Sequence, residues 1–176
     1  MKPWPSSPAE HMNAHAQGPS ELKHSELIQG EFRMVLSATL AGVICAQREL
    51  QHFIGAHELR AKTIYKLELI VEELLMNTAK YGVRAGANHA TSVRAAKIGD
   101  QIEVMIEDDG APFDPLKAPE ADVYTTPETA TPGGLGLSLV KKMSTSLTYE
   151  RVDPDAPVPA GEFRPVNRLR ITIADA

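Results

Sequence analysis

A single cysteine, Cys45, among 176 residues has nothing to pair with inside the chain, so no internal disulfide contributes to the fold. It follows the apolar stretch 40–44 and reads as a core residue, not as a reactive thiol. No apolar run approaches the ~18 residues a membrane span needs. Residues 1–20, rich in Pro, Ser, His and Ala, lack the continuous apolar segment of a signal peptide, so a cytoplasmic protein without membrane contact is expected. Basic residues are in deficit. Lys and Arg number 18 against 23 Asp and Glu, a net charge of −5 that leaves no broad cationic surface for direct nucleic-acid binding. No internal repeat is evident. What remains, 43% hydrophobic and 23% charged residues, is ordinary for one compact domain.

The first 28 residues read as a flexible extension, because four prolines and few aliphatic side chains bury too little surface to offset the entropy of ordering. His11 and His15 have helical spacing but no third ligand, so a solvated tail is expected there and not a metal site. The domain is placed at 29–176. Phe32, Met34 and Leu36 alternate with Glu31, Arg33 and Val35, the period of a half-buried strand. Residues 38–59 carry Val43, Ile44, Leu50, Phe53 and Ile54 at helical spacing, with Gly55 as the stop. Residues 61–81 form a second helix along Ile64, Leu67, Ile70, Val71, Leu74, Leu75 and Thr78, closed by Gly82. Strands are expected at 90–98 and 101–107, joined by a Gly99-Asp100 turn. A third helix follows at 134–144 with Leu135, Leu139, Val140 and Met143 inward. Closing strands are expected at 147–152 and 167–173. Residues 116–132 have the length and proline content of a lid or a disordered segment, and 153–165 form a Pro-rich loop. The order predicts an α/β two-layer sandwich: a mixed, largely antiparallel sheet with helices on one face.

Three polar constellations stand out against this scaffold. In Glu73-Leu74-Leu75-Met76-Asn77, a carboxylate and an amide four residues apart share a helix face, and Lys80 is expected to join them. Glu72 lies about 100° round the helix and is the weaker partner. Asn77 offers a neutral oxygen to Mg²⁺, Glu73 a base, and Lys80 a cation for phosphate, although a surface lysine would look the same. At the end of the strand 101–107, Asp108-Asp109-Gly110 places a carboxylate that can accept an exocyclic amino group. Gly110 allows close backbone approach, and Phe113 can pack beside a base. The same residues would also serve a plain turn; a calcium loop is excluded by their spacing. Gly133, Gly134 and Gly136 precede or open a helix, the geometry in which backbone N–H groups hold phosphate. A P-loop would require Gly-Lys-Ser/Thr to follow, and a Rossmann site a strand directly before; neither is present.

Glu-x-x-x-Asn, Asp-x-Gly-x-Pro-Phe and Gly133-Gly134-Leu135-Gly136-Leu137 resemble, in this order, the N, G1 and G2 boxes of the Bergerat-fold (GHKL) ATPases. Within that superfamily, which includes the histidine kinases, residues 30–176 are most similar to the small anti-sigma factor serine/threonine kinases. The resemblance implies ATP and Mg²⁺ as cofactors and a cleft between the helix of Asn77, a lid and the sheet. It implies Glu73 as the catalytic base, with nucleotide contacts from Asn77, Lys80, Asp108, Gly110, Phe113 and residues 133–137, and Asn77 on the metal. Thr172 matches the position where relatives place a hydroxyl near adenine, although a threonine in a strand is equally a β-former. The implied partners are a sigma factor or similar transcription regulator and a small STAS-type antagonist that receives the phosphate; a homodimer is left open. Two other readings stand beside this one: a module that binds ATP and sequesters its partner with little turnover, and a detached histidine-kinase catalytic domain. Against the latter, histidine kinases commonly place Asn where Glu73 stands, and His24 lies in no dimerisation helix. The 153–165 loop is longer than in relatives and offers a partner-specific surface.

Overall fold

The computed structural model describes residues 21–82, 89–117, 134–152 and 167–175. Along these the chain runs β1 (Leu22–Ile28), β2 (Glu31–Ser37), α1 (Leu40–Ala56), α2 (Ala61–Asn77), a π-helical turn Thr78–Gly82, β3 (Ala90–Ile98), β4 (Gln101–Asp108), α3 (Gly134–Met143), β5 (Ser146–Arg151) and β6 (Asn167–Ala174). The six strands form one sheet in the order β1-β2-β3-β4-β6-β5. Every pairing is antiparallel, where the sequence suggests a mixed sheet. β4 and β5 both run antiparallel to β6, so α3 connects two like-directed strands with β6 inserted between them.

The two-residue period of the strands sorts side chains onto two faces. Phe32, Met34 and Leu36 of β2, Ile102, Val104 and Ile106 of β4, and Leu169, Ile171 and Ile173 of β6 are buried against the helices. Leu50 and Phe53 of α1 and Leu67, Ile70 and Leu74 of α2 meet them. Each fully buried side chain of this size contributes roughly 1.5–3 kcal/mol. The opposite sheet face is polar and cross-linked between strands: Arg168 Nε donates to Glu107 at 2.6 Å and Nη1 to Glu150 at 2.8 Å.

Further expectations are corrected. Residues 22–28, assigned to the flexible extension, form edge strand β1; its polar sequence is held by pairing with β2 and not by its own burial. Residues 1–20 lie outside the described residues. Ile44, expected inward, is 66% exposed, because it lies nearly opposite the buried face of α1 formed by Val43, Ala46, Leu50 and Phe53, and Leu139 is 38% exposed at the margin of its helix's apolar stripe. Cys45 is partly buried against the core. Helix α1 is capped by Thr39, whose Oγ1 accepts the Gly42 N–H at 3.0 Å, and it passes Gly55 to end at Ala56. The lid assigned to 116–132 is described only at 116–117, and the 153–165 loop lies outside the described residues. No helix among the described residues is long and apolar enough to cross a membrane.

Candidate functional site

A cleft opens where the C-terminal end of α2 and the π-helical turn meet the ends of β4 and β6 and the start of α3. Leu74, Leu137 and Leu169 form its apolar walls; Asn77, Asp108 and Asn167 are its polar groups, and Phe113 stands at its rim, 40% exposed.

Sheet register explains the first pair of polar groups. Asp108 continues the inward series Ile102, Val104, Ile106 on β4, and Asn167 begins the inward series Leu169, Ile171, Ile173 on β6. The two residues are direct partners across the β4–β6 ladder. Both therefore point toward the helical layer at the sheet's end, where the core gives way to the cleft. Asp108 is 7% exposed. Its Oδ1 accepts from the Gly110 N–H and from Asn167 Nδ2, each at 2.9 Å. Neither donor uses Oδ2. Burial pushes the Asp108 carboxyl above the ordinary carboxylate range; the bonds from Asn167 and Gly110 oppose this, Asp109 adds to it, and His89 opposes it.

The turn after β4 is clamped to the end of α2. Ala111 N–H donates to the Gly82 carbonyl at 3.2 Å, and a Cβ on Gly110 would come within 2.5 Å of that carbonyl oxygen and 2.7 Å of Asp108 Oδ1. The glycine requirement at 110 is thus set by the contact between two site segments. Asp109 points elsewhere: its Oδ1 lies 3.0 Å from His89 Nδ1 and accepts the Ala90 N–H at 3.3 Å, holding the start of β3.

On α2, Asn77 is 9% exposed and lines the cleft, and its Nδ2 has no hydrogen-bond partner. A buried amide with an unmatched end is costly unless something polar fills the cleft. Rotation about χ2 exchanges the two ends, so the same group can present its oxygen to a cation. Glu73 is half-buried and outside the cleft lining, seated against α3: a Cβ on Gly136 would overlap its carboxylate. Glu72 is exposed. Gly136 and Leu137 are buried, and Gly134 and Leu135 belong to the same first turn of α3, whose N–H groups have no intrahelical acceptors. Gly133 lies outside the described residues.

Besides Glu73, two expected members are not brought into the cleft lining. Lys80 sits in the π-helical turn, exposed and outside the lining; the wider i→i+5 winding takes it off the Glu73–Asn77 face that an α-helix would preserve. Thr172 is on the opposite face of the sheet, paired with Glu103 and Ser146, because its position in β6 has the parity of Arg168 and Arg170. Asn167 occupies the cleft in its place. The inward run Leu169, Ile171, Ile173 carried the signal, since counting back by two from Leu169 puts an asparagine on the buried face.

Residues 36–158 match the model of the histidine kinase-like ATPase domain family, more than half of the chain. The serine/threonine-protein kinase BtrW of Bordetella bronchiseptica is 27% identical over 118 residues, which cover 67% of this chain and 83% of that protein. The histidine kinase domain of a blue-light activated histidine kinase from Erythrobacter litoralis aligns with 64% of this chain at 21% identity and a TM-score of 0.41, and the chain spans 45% of its length.

Proposed function

This chain belongs to the histidine kinase-like ATPase domain family, and we propose that within it the protein is an ATP-dependent serine/threonine kinase of the anti-sigma type, working in the cytoplasm. The single observation that carries the nucleotide assignment is the pairing, in one cleft, of a buried carboxylate and a buried amide with an unmatched end, Asp108 and Asn77. Asp108 Oδ2 accepts the adenine amino group, and Phe113 covers the base from the rim. The N–H groups at the start of α3 hold the phosphates. Asn77 would hold Mg²⁺ through its side-chain oxygen, and the ion would supply neutralisation of phosphate charge.

Glu73 distinguishes a serine from a histidine acceptor. The acceptor hydroxyl oxygen bonds to the γ-phosphorus as the bond to the bridging oxygen of ADP breaks, and the hydroxyl proton passes to the Glu73 carboxylate. The kinase relative supports this reading. The substrate is a small STAS-type antagonist, and a sigma factor or similar regulator is the second partner.

The test is radiolabel transfer from γ-labelled ATP to proteins captured from native extract, with Glu73→Gln as comparison. The expected result is an acid-stable phosphate on serine or threonine that falls by about 10²- to 10⁴-fold in the variant with ATP binding kept. Absence of any transfer by wild type would support a sequestering module instead, and an acid-labile product a histidine kinase.

A further inference from the structure

Resting on the assignment of Asp108 as the adenine acceptor, we infer that Tyr149, on edge strand β5, is a positioning residue for that carboxylate and acts through Asn167 to fix the donor and acceptor pattern the cleft presents to a purine. Tyr149 Oη donates to Asn167 Oδ1 at 2.9 Å. Asn167 Nδ2 then donates one hydrogen to Asp108 Oδ1 at 2.9 Å and the other to the Ala111 carbonyl at 2.8 Å. Both amide hydrogens are committed, so Asn167 has none left to read a base. Its role is to hold Asp108 on one side and the turn after Gly110 on the other.

The Asp108 and Ala111 oxygens set which way round the amide sits, and the phenol, donating to Oδ1, completes its bonds and holds it in place. Tyr149 is opposite Leu169 in the β5–β6 ladder and Arg151 is opposite Asn167, so Tyr149 reaches its acceptor diagonally along the inward face. A flipped amide would place its oxygen among the Asp108 and Ala111 oxygens, three acceptors with no hydrogen between them, so the phenol meets the oxygen end and must donate to it. Without that bond the amide is held on one side only, and its bond to Asp108 Oδ1 loosens while the Gly110 N–H stays. The other ionisable groups facing this carboxylate are Asp109 and His89, which engage one another at 3.0 Å. Arg168, next to Asn167 in sequence, is engaged by Glu107 and Glu150 on the far face.

The experiment is calorimetric titration of the full chain with ADP across pH, in wild type, Tyr149→Phe, Asn167→Ala and the double variant. Adenine's amino group needs an ionised acceptor, so affinity falls on the acid side as Asp108 takes up a proton. Tyr149→Phe keeps the ring and its packing, and should weaken ADP by about 3- to 10-fold. It should also move the acid limb to higher pH, because a loosened bond from Asn167, the largest of the contacts that favour the charged form, leaves burial less opposed. Asn167→Ala should give a larger loss with the same limb shift, and adding Tyr149→Phe to it should change nothing more. An unchanged limb and affinity in Tyr149→Phe would overturn the inference, as would additive losses in the double variant; a tyrosine that only packs would leave the limb in place. Should Asn167→Ala not fold, the limb in Tyr149→Phe decides alone. If Asp108→Asn fails to weaken ADP, the adenine reading itself falls; if it weakens ADP while Tyr149→Phe does not, only the role of Tyr149 falls.

Discussion

Replacing Asp108 by asparagine should separate nucleotide recognition from stability, and the hydrogen bonds around it say how. Two donors, the Gly110 N–H and Asn167 Nδ2, converge on Oδ1 at 2.9 Å each. In Asp108→Asn the new amide must turn its oxygen to meet them, so its NH₂ falls where Oδ2 was. Adenine's amino group then faces a donor where it needs an acceptor. The lost charge-assisted bond is worth about 1.5–3 kcal/mol, so ATP should bind roughly 10- to 150-fold more weakly. Guanine presents a carbonyl at the same ring position, so GTP should gain affinity and the preference for ATP should narrow or invert. The free protein should respond in the other direction. Asp108 has its pKa raised on folding by burial. Such a group contributes stability that is complete below its unfolded pKa and is lost as pH rises through its folded pKa, so at neutral pH the buried charge opposes folding. The asparagine variant, without ligand, should therefore melt no lower than wild type near pH 7, with the difference closing in acid. Calorimetry with ATP and GTP, paired with thermal melts over pH, measures both. Equal ATP affinity in the two proteins, or a variant that melts well below wild type at neutral pH, would refute the reasoning.

Asn77→Ala removes a buried amide whose Nδ2 has no partner; apo stability should change by less than about 1 kcal/mol while the Mg²⁺ dependence of ATP affinity disappears, and an unaltered magnesium titration would take Asn77 out of the metal site. Gly136→Ala places a methyl where the Glu73 carboxylate lies, so phosphoryl transfer should fall at least about 10-fold in the Glu73 protein and no further in Glu73→Gln. A transfer rate that stays at the wild-type level would show that Glu73 does not need this seat.

The parts of this fold that are legible in the sequence are those in which one residue's burial repeats at a fixed period. The inward series of β2 and β4 and the apolar stripe of α2 are of this kind, and the strand β3, its Gly99-Asp100 turn and β4 fall where periodicity and turn chemistry place them. Strand β1 is not, because an edge strand held by ladder hydrogen bonds needs little apolar character of its own, and Leu27 and Ile28 point to solvent. The π-helical turn is equally hidden: nothing in Thr78–Gly82 distinguishes it from a continuing α-helix, and it decides that Lys80 leaves the face of Glu73 and Asn77. The site divides along the same line. Glu73, Asn77 and Asp108 are marked by local spacing. Gly136 is marked too, but for phosphate; that it also clears space for Glu73 depends on the packing of α2 against α3, 63 residues apart by number. The Tyr149–Asn167–Asp108 chain needs three things at once: the parity of β6, which excludes Thr172 and admits Asn167; the β4–β6 register, which sets Asn167 beside Asp108; and the β5–β6 register, which brings the phenol within 2.9 Å. Parity is written in the sequence. The two registers are not, since each is fixed by which side chains share the core across intervening segments of different length. A polar residue on the inward parity of a strand is therefore the sequence signal of most value here: burial without a partner would be unfavourable, so its presence in the series Asn167, Leu169, Ile171, Ile173 implies that other polar groups meet it inside the protein.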